Sequence, residues 1–155
     1  MQYKKYTMAF FSGLLSIWLL LLAAGHFFHI TALQSLSTDA RISAAVMFML
    51  IGFFHLIKPG KLSYMINGML PFPHFLVIFT GMLEMLLGAG LLFPAAQFYA
   101  GWGLMILLVL MFPANIRVAV KQLPAPGGLP AKAWYTWSRL PFQPVYILWI
   151  WWGIS

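Results

Sequence analysis

Glu84 is the residue of this sequence best placed to do chemistry. It is one of two acidic residues in 155, and it lies within an apolar run from His74 to Phe93. In a helix, with a rise of about 1.5 Å per residue, it would sit roughly 15 Å from either end of that run. A carboxylate at such depth in lipid is costly, so it must face the protein interior, take a partner or be neutral. Two uses follow. It can be a ligand or proton site, or it can hold two helices together through a buried hydrogen bond.

A few other side chains could join it. His55 lies near the end of one apolar run and His74 opens the next. Asn115 and Arg117 follow Pro113, and Arg139 and Gln143 flank Pro141. Converging at one end of a helical bundle, these residues would form a polar ligand-binding cluster with Glu84. The plainer readings are that each histidine is a satisfied packing residue and that Arg117 and Arg139 reach out to lipid head groups. Haem needs two axial ligands at one depth. His26 and His29 belong to the opposite end, so only His55 with His74 would fit, and no cofactor is expected. A metal site is not expected either, because only Glu84 and Asp39 can add carboxylates. No phosphate-binding loop, nucleophile elbow or dinucleotide fingerprint is present. The residues name no reaction, so enzymatic activity stays open.

The elements that must position these residues are membrane helices. The chain is 63% hydrophobic and 7% charged, against about 25% charged in a soluble domain. The sequence predicts one all-α domain over 1–155, an integral membrane helical bundle with spans at about 7–28, 41–57, 74–93, 98–120 and 132–154. The first run could pass for a signal peptide, ending in Ala23-Ala24-Gly25, but is long for one, and a retained helix is expected. Asp39 is a candidate helix cap. Lys58-Pro59-Gly60 ends the second run, and Met65 to Leu70 forms an apolar loop at the interface or dipping into the membrane. Pro113 should kink the fourth span. Leu123 to Ala131 is a breaker-rich loop. Trp134, Tyr135 and Trp137 beside Lys132 and Arg139 look like an interfacial belt. Gly81, Glu84, Gly88 and Leu91 share one helical face, where small residues admit a neighbour. A weak echo between 22–29 and 50–55 would be an inverted repeat.

Charge sets the expected orientation. The net charge is +7. With the N-terminus cytoplasmic and five spans, Lys4, Lys5, Lys58, Lys61, Arg117, Lys121, Lys132 and Arg139 fall inside and only Arg41 outside. The C-terminus then faces outward, and the location is the cell's inner (plasma) membrane. The basic ends meet anionic head groups. Nucleic acid is not an expected partner, since no polar surface carries a basic patch. There are no cysteines, which excludes disulfides and thiol relays.

Several motifs carry a family resemblance. These are Gly52-Phe53-Phe54-His55 with Lys58-Pro59; Met69-Leu70-Pro71-Phe72-Pro73; Gly81-Met82-Leu83-Glu84 with Gly88 to Pro94; Phe112-Pro113-Ala114-Asn115-Ile116; and Arg139-Leu140-Pro141-Phe142-Gln143 before the Trp-rich end. Over about 42–154 the chain resembles the DoxX family of small bacterial membrane proteins. The resemblance implies a four-helix DoxX-like core, with 7–28 as an additional N-terminal transmembrane helix. It implies a shared polar site at His55, Glu84, Asn115 and Arg139, and links to membrane redox complexes or to assembly factors.

Two functions are therefore expected to compete. The first is binding of a lipid-soluble molecule such as a quinone at Glu84, His55 and Asn115, with electrons supplied by a redox partner subunit. The second is a non-catalytic membrane scaffold or assembly factor. A transporter is a weaker third reading, since five helices leave little room for alternating access.

Overall fold

The computed structural model describes residues 9–33, 35–123 and 133–155. All regular structure among them is helical: α1 (Ala9–Phe27), a 3-10 turn (Thr31–Leu33), α2 (Leu36–Ile57), the short α3 (Gly60–Ser63), α4 (Pro73–Gly90), α5 (Gln97–Lys121) and α6 (Ala133–Ile154). Lys4, Lys5, Lys132 and the stretch 124–132 lie outside the described residues, as do the side chains of Trp134 and Tyr135.

Local chemistry sets the ends. α1 reverses through His29, which takes a left-handed φ of 53°, and Gly25 lets the Leu33 carbonyl lie against its backbone. α2 begins at Leu36, earlier than the expected 41. Ser35 is its cap, its hydroxyl accepting from the Thr38 N–H. Asp39 is therefore not the cap; it is a first-turn residue, wholly buried. α4 starts on Pro73, where a missing N–H costs nothing, and stops at Gly90 in the Gly88-Ala89-Gly90 run, short of the expected 93. Residues 91–96 turn, and α5 begins at Gln97. α5 continues as helix through Pro113, and α6 through Pro141 and Pro144.

The long helices alternate in direction. Gly13 of α1 meets Met47 of α2, while Gly25 meets Leu33 just before α2. Gly52 and His55 lie on Gly81, and Ala45 and Met49 lie on Gly88, so α2 and α4 are antiparallel. Gly90 meets Ala100 and Gly103 meets Leu87, which sets α5 against α4. Gly101 meets Ile150 and Ile154 near one end, and Asn115 meets Gln143 toward the other, so α6 returns along the length of α5. α6 also closes onto α2 and α1, through Trp149 to the Ala40 carbonyl and Phe10 to Tyr146. A core of Leu14, Ala44, Ala45, Phe48, Leu91, Leu104 and Ile150 fills the centre.

Four helices, α1, α2, α4 and α5, are long and apolar enough to cross a membrane, as in a multi-pass membrane protein. α6 is 22 residues long, but its first twelve residues carry Arg139, Gln143 and two prolines, which dilute its hydropathy. Large apolar side chains such as Leu20, Phe75, Leu86, Leu110 and Leu148 are exposed. In water such a surface would aggregate; in lipid it is the expected exterior. Among the described basic residues, Lys58, Lys61, Arg117, Lys121 and Arg139 lie toward one end of the bundle, while Arg41 lies at the other.

Candidate functional site

Glu84 and His55 come together. The α2–α4 interface is built from Gly52, Gly81 and Gly88, whose missing side chains bring the two backbones close. Glu84 shares the face of Gly81 and Gly88, so the same approach that seats the glycines carries its carboxylate onto α2. There Nδ1 of His55 stands 2.9 Å from Oε2 of Glu84. The residues are only 6% and 3% exposed. The approach falls short of a directed hydrogen bond, and neither atom has another hydrogen-bond partner. The pair thus holds the helices by charge or dipole attraction and keeps hydrogen-bonding capacity in reserve.

Asn115 and Gln143 form a second pair, on α5 and α6. The Asn115 amide donates to Oε1 of Gln143 at 2.8 Å, and the Gln143 amide donates to the Leu108 carbonyl. This carbonyl is next to that of Val109, which the missing N–H of Pro113 leaves without its helical donor. Gln143 is buried and binds α6 to that disturbed turn. Asn115 thus turns to Gln143, on a different helix pair from Glu84.

Arg117 has a third role. It donates to the Met65 carbonyl at 2.9 Å and to the Asn67 carbonyl at 2.7 Å. Its guanidinium thus fixes the loop between α3 and α4, where Gly68 takes a φ of 74°, instead of snorkelling to head groups. Hydrogen bonds to a charged group are each worth about 1.5–3 kcal/mol. Arg117→Ala is expected to free the loop, seen as faster amide exchange at 65–70 with α5 exchange unchanged.

His74 is exposed at the start of α4, with its ring beside Gly60. It is seven residues before Gly81, roughly 10 Å along the helix, whereas His55 packs on Gly81 itself. Arg139 is half-buried and close enough to Tyr146 to act on its phenol electrostatically. No group of three or more His, Asp or Glu among the described residues is arranged to hold a metal ion.

Two apolar grooves open outward. One, of about 420 Å³, runs between α5 and α6 along Trp102, Met105, Val109, Ile147, Leu148 and Trp151. The other, of about 300 Å³, lies between α2 and α4 at Val46, Met49, Leu50, Phe53 and Met85. None of Glu84, His55, Asn115 or Gln143 lines either one.

Sequence reasoning missed a cluster at the opposite end. Trp149 donates through Nε1 to the Ala40 carbonyl at 3.0 Å and approaches the Ser43 hydroxyl at 3.3 Å. Trp18 donates to the Leu36 carbonyl at 3.0 Å. Asp39 lies between these two acceptors in the chain. The Trp-rich C-terminus was the available signal, but backbone carbonyl acceptors leave no mark in a sequence.

No curated protein and no solved structure matches this chain. The model of the family described as Domain of unknown function (DUF8561) matches residues 44–153, more than half of the sequence, and the chain belongs to that family.

Proposed function

We propose that this protein is a non-catalytic membrane scaffold or assembly factor, a bundle of five spans that offers apolar helix faces to partners in the bilayer plane. The observation that carries this reading is the seating of Glu84. The carboxylate faces His55 inside the glycine-lined α2–α4 contact, and neither groove reaches it. A tightly packed carboxylate fits an interhelical lock better than a ligand site. The course of α6 along α5 supports the fifth span. The concentration of basic residues at the His55 end supports a cytoplasmic N-terminus in an inner membrane. The stretch resembling the DoxX family, 42–154, nearly coincides with the family match, and supports taking this part as the functional core.

The test is co-purification from native membranes. Glu84→Gln is expected to lower the melting temperature and leave the set of associated proteins unchanged. Filling the α5–α6 groove with Leu148→Trp is expected to strip partners while the melting temperature holds. Partners lost with Glu84→Gln and kept with Leu148→Trp would reverse the assignment.

The unspent hydrogen-bonding capacity at His55 and Glu84 favours one second reading. A quinone head group, entering between α2 and α4, would complete those bonds and exchange protons with the pair, with a redox partner subunit supplying electrons. Quinone titration of the purified protein decides it: binding that Glu84→Gln abolishes would support it.

A further inference from the structure

Arg41 and Gln97 lie at the end of the bundle away from His55, and the lock at Glu84 uses neither. Nε of Arg41 and Oε1 of Gln97 are each buried without a hydrogen-bond partner among the described residues. Such atoms are costly to leave unmatched, the charged one above all. Their places follow from a ring of helices. α2 packs on α4 through Gly52 and Gly81, and α4 on α5 through Gly90 and Ala100. α5 packs on α6 through Gly101 and Ile154, and α6 on α2 through Gly153 and Arg41. Arg41 is one turn before Ala44 and Ala45, and Gln97 is one turn before Ala100 and Gly101. Those four residues are buried, so Arg41 and Gln97 continue the inner faces of α2 and α5. Both lie near the N-terminus of their helix, and helical side chains lean toward that end. They therefore form the last layer inside the ring, at its mouth. Each is half-buried, so the layer can be reached from outside. The layer beneath is apolar, with Ala44, Ala45, Leu91, Ala100 and Ile150.

An unmatched donor and an unmatched acceptor in one layer call for a ligand that brings both an acceptor and a donor. The guanidinium selects the acceptor, because phosphate oxygens fit its planar fork. A hydroxyl beyond the phosphate would donate to Gln97. Asp39 does not compete for Arg41. It is two residues earlier, roughly 200° round the helix, and no ion pair joins the two among the described residues. The setting selects the source of the phosphate. Arg41 is the only lysine or arginine at this end among the described residues. Leu92 and Phe93 before α5, and Phe98 and Tyr99 in its first turn, are exposed. Aromatic side chains of this kind mark the level where a membrane protein meets lipid head groups. The mouth of the ring opens at that level, where phosphodiesters are at hand.

We propose that this mouth binds the head group of an anionic phospholipid that carries hydroxyls, with Arg41 donating to the phosphodiester and Gln97 accepting from a hydroxyl. Phosphatidylglycerol has this chemistry. The site is separate from both apolar grooves and does not depend on the scaffold reading.

The test is lipid retention by the full-length protein in detergent, read by native mass spectrometry and by melting temperature. Dioleoyl-phosphatidylglycerol is expected to stay bound and to raise the melting temperature. Dioleoyl-phosphatidylcholine, whose head group has no donor, and glycerol phosphate, which has no tails, should each bind about tenfold more weakly. Arg41→Gln should weaken retention of phosphatidylglycerol about tenfold, as for loss of one charge-assisted hydrogen bond. Lys58→Gln, at the opposite end, should leave it unchanged. Gln97→Leu gives a separate readout that stands whether or not Arg41→Gln folds. The wild type should prefer phosphatidylglycerol to phosphatidylmethanol, an anionic lipid without hydroxyls. The Gln97→Leu protein should bind both and lose that preference. A preference that is absent from the wild type, or that survives Gln97→Leu, would overturn the proposal. So would a loss with Lys58→Gln as large as with Arg41→Gln, since the attraction would then be diffuse charge. Glycerol phosphate bound as tightly as the lipid would replace the lipid by a free phosphate ester and overturn it too.

Discussion

Replacing Gly81 by alanine is expected to cost about 3 kcal/mol, the upper end of what overpacking a core costs. A Cβ there would stand 2.5 Å from His55 Cβ and 2.8 Å from the Gly52 carbonyl oxygen. Neither atom can swing away, so the helices must part. Gly52→Ala should behave alike, since its Cβ would meet the Gly81 carbonyl oxygen at 2.5 Å. Gly103 is the control: its nearest neighbours are the tips of the Leu87 side chain, which can change rotamer, and Gly103→Ala should cost under about 1 kcal/mol. Gly60→Ala, with only the His74 ring at 3.5 Å, should be neutral. Reversible unfolding in mixed micelles ranks the four. Equal midpoints for Gly81→Ala and Gly60→Ala would remove the close α2–α4 contact from the account.

The second large effect is at the pair that contact supports. His55→Leu leaves Glu84 buried without its partner, a class of change that costs about 3–5 kcal/mol. Interhelical polar contacts in membranes often measure nearer 1 kcal/mol, because the unfolded helices also find partners. The lower end, about 3 kcal/mol, is therefore expected. Glu84→Leu should cost a similar amount. The double variant His55→Leu with Glu84→Leu should cost less than the sum, by roughly 1–3 kcal/mol, as for residues in contact. A double-mutant cycle measures this directly. Additive losses would mean that the two side chains do not depend on each other.

How much of this was legible in the sequence depends on what carried each feature. The helices were legible because lipid demands long apolar runs. The shared face of Gly81, Glu84 and Gly88 was legible because three small or polar residues recur at helical spacing. Partners were harder. Helices apolar all round give little periodic signal of which side is buried, so whether His55 or Asn115 would meet Glu84 was not readable. The start of α2 was misplaced because Ser35, the true cap, lies in an unremarkable Ser/Thr stretch while Asp39 was the more conspicuous polar residue. Arg117 and Trp149 bond to carbonyls, and every residue has one. The full burial of Asp39 is a tertiary fact that no local pattern encodes.

The unequal lengths of neighbouring helices have a consequence for the surrounding lipid. α4 has 18 residues and α5 has 25, about 27 Å and 37 Å of rise. A bilayer core about 30 Å thick suits neither. Hydrophobic mismatch of this kind is relieved by tilting the long helix and thinning the leaflets beside the short one, at fractions of a kcal/mol per Å. Lipids with short acyl chains should therefore gather along the α4 side, giving the bundle a preferred azimuth toward thin patches of membrane.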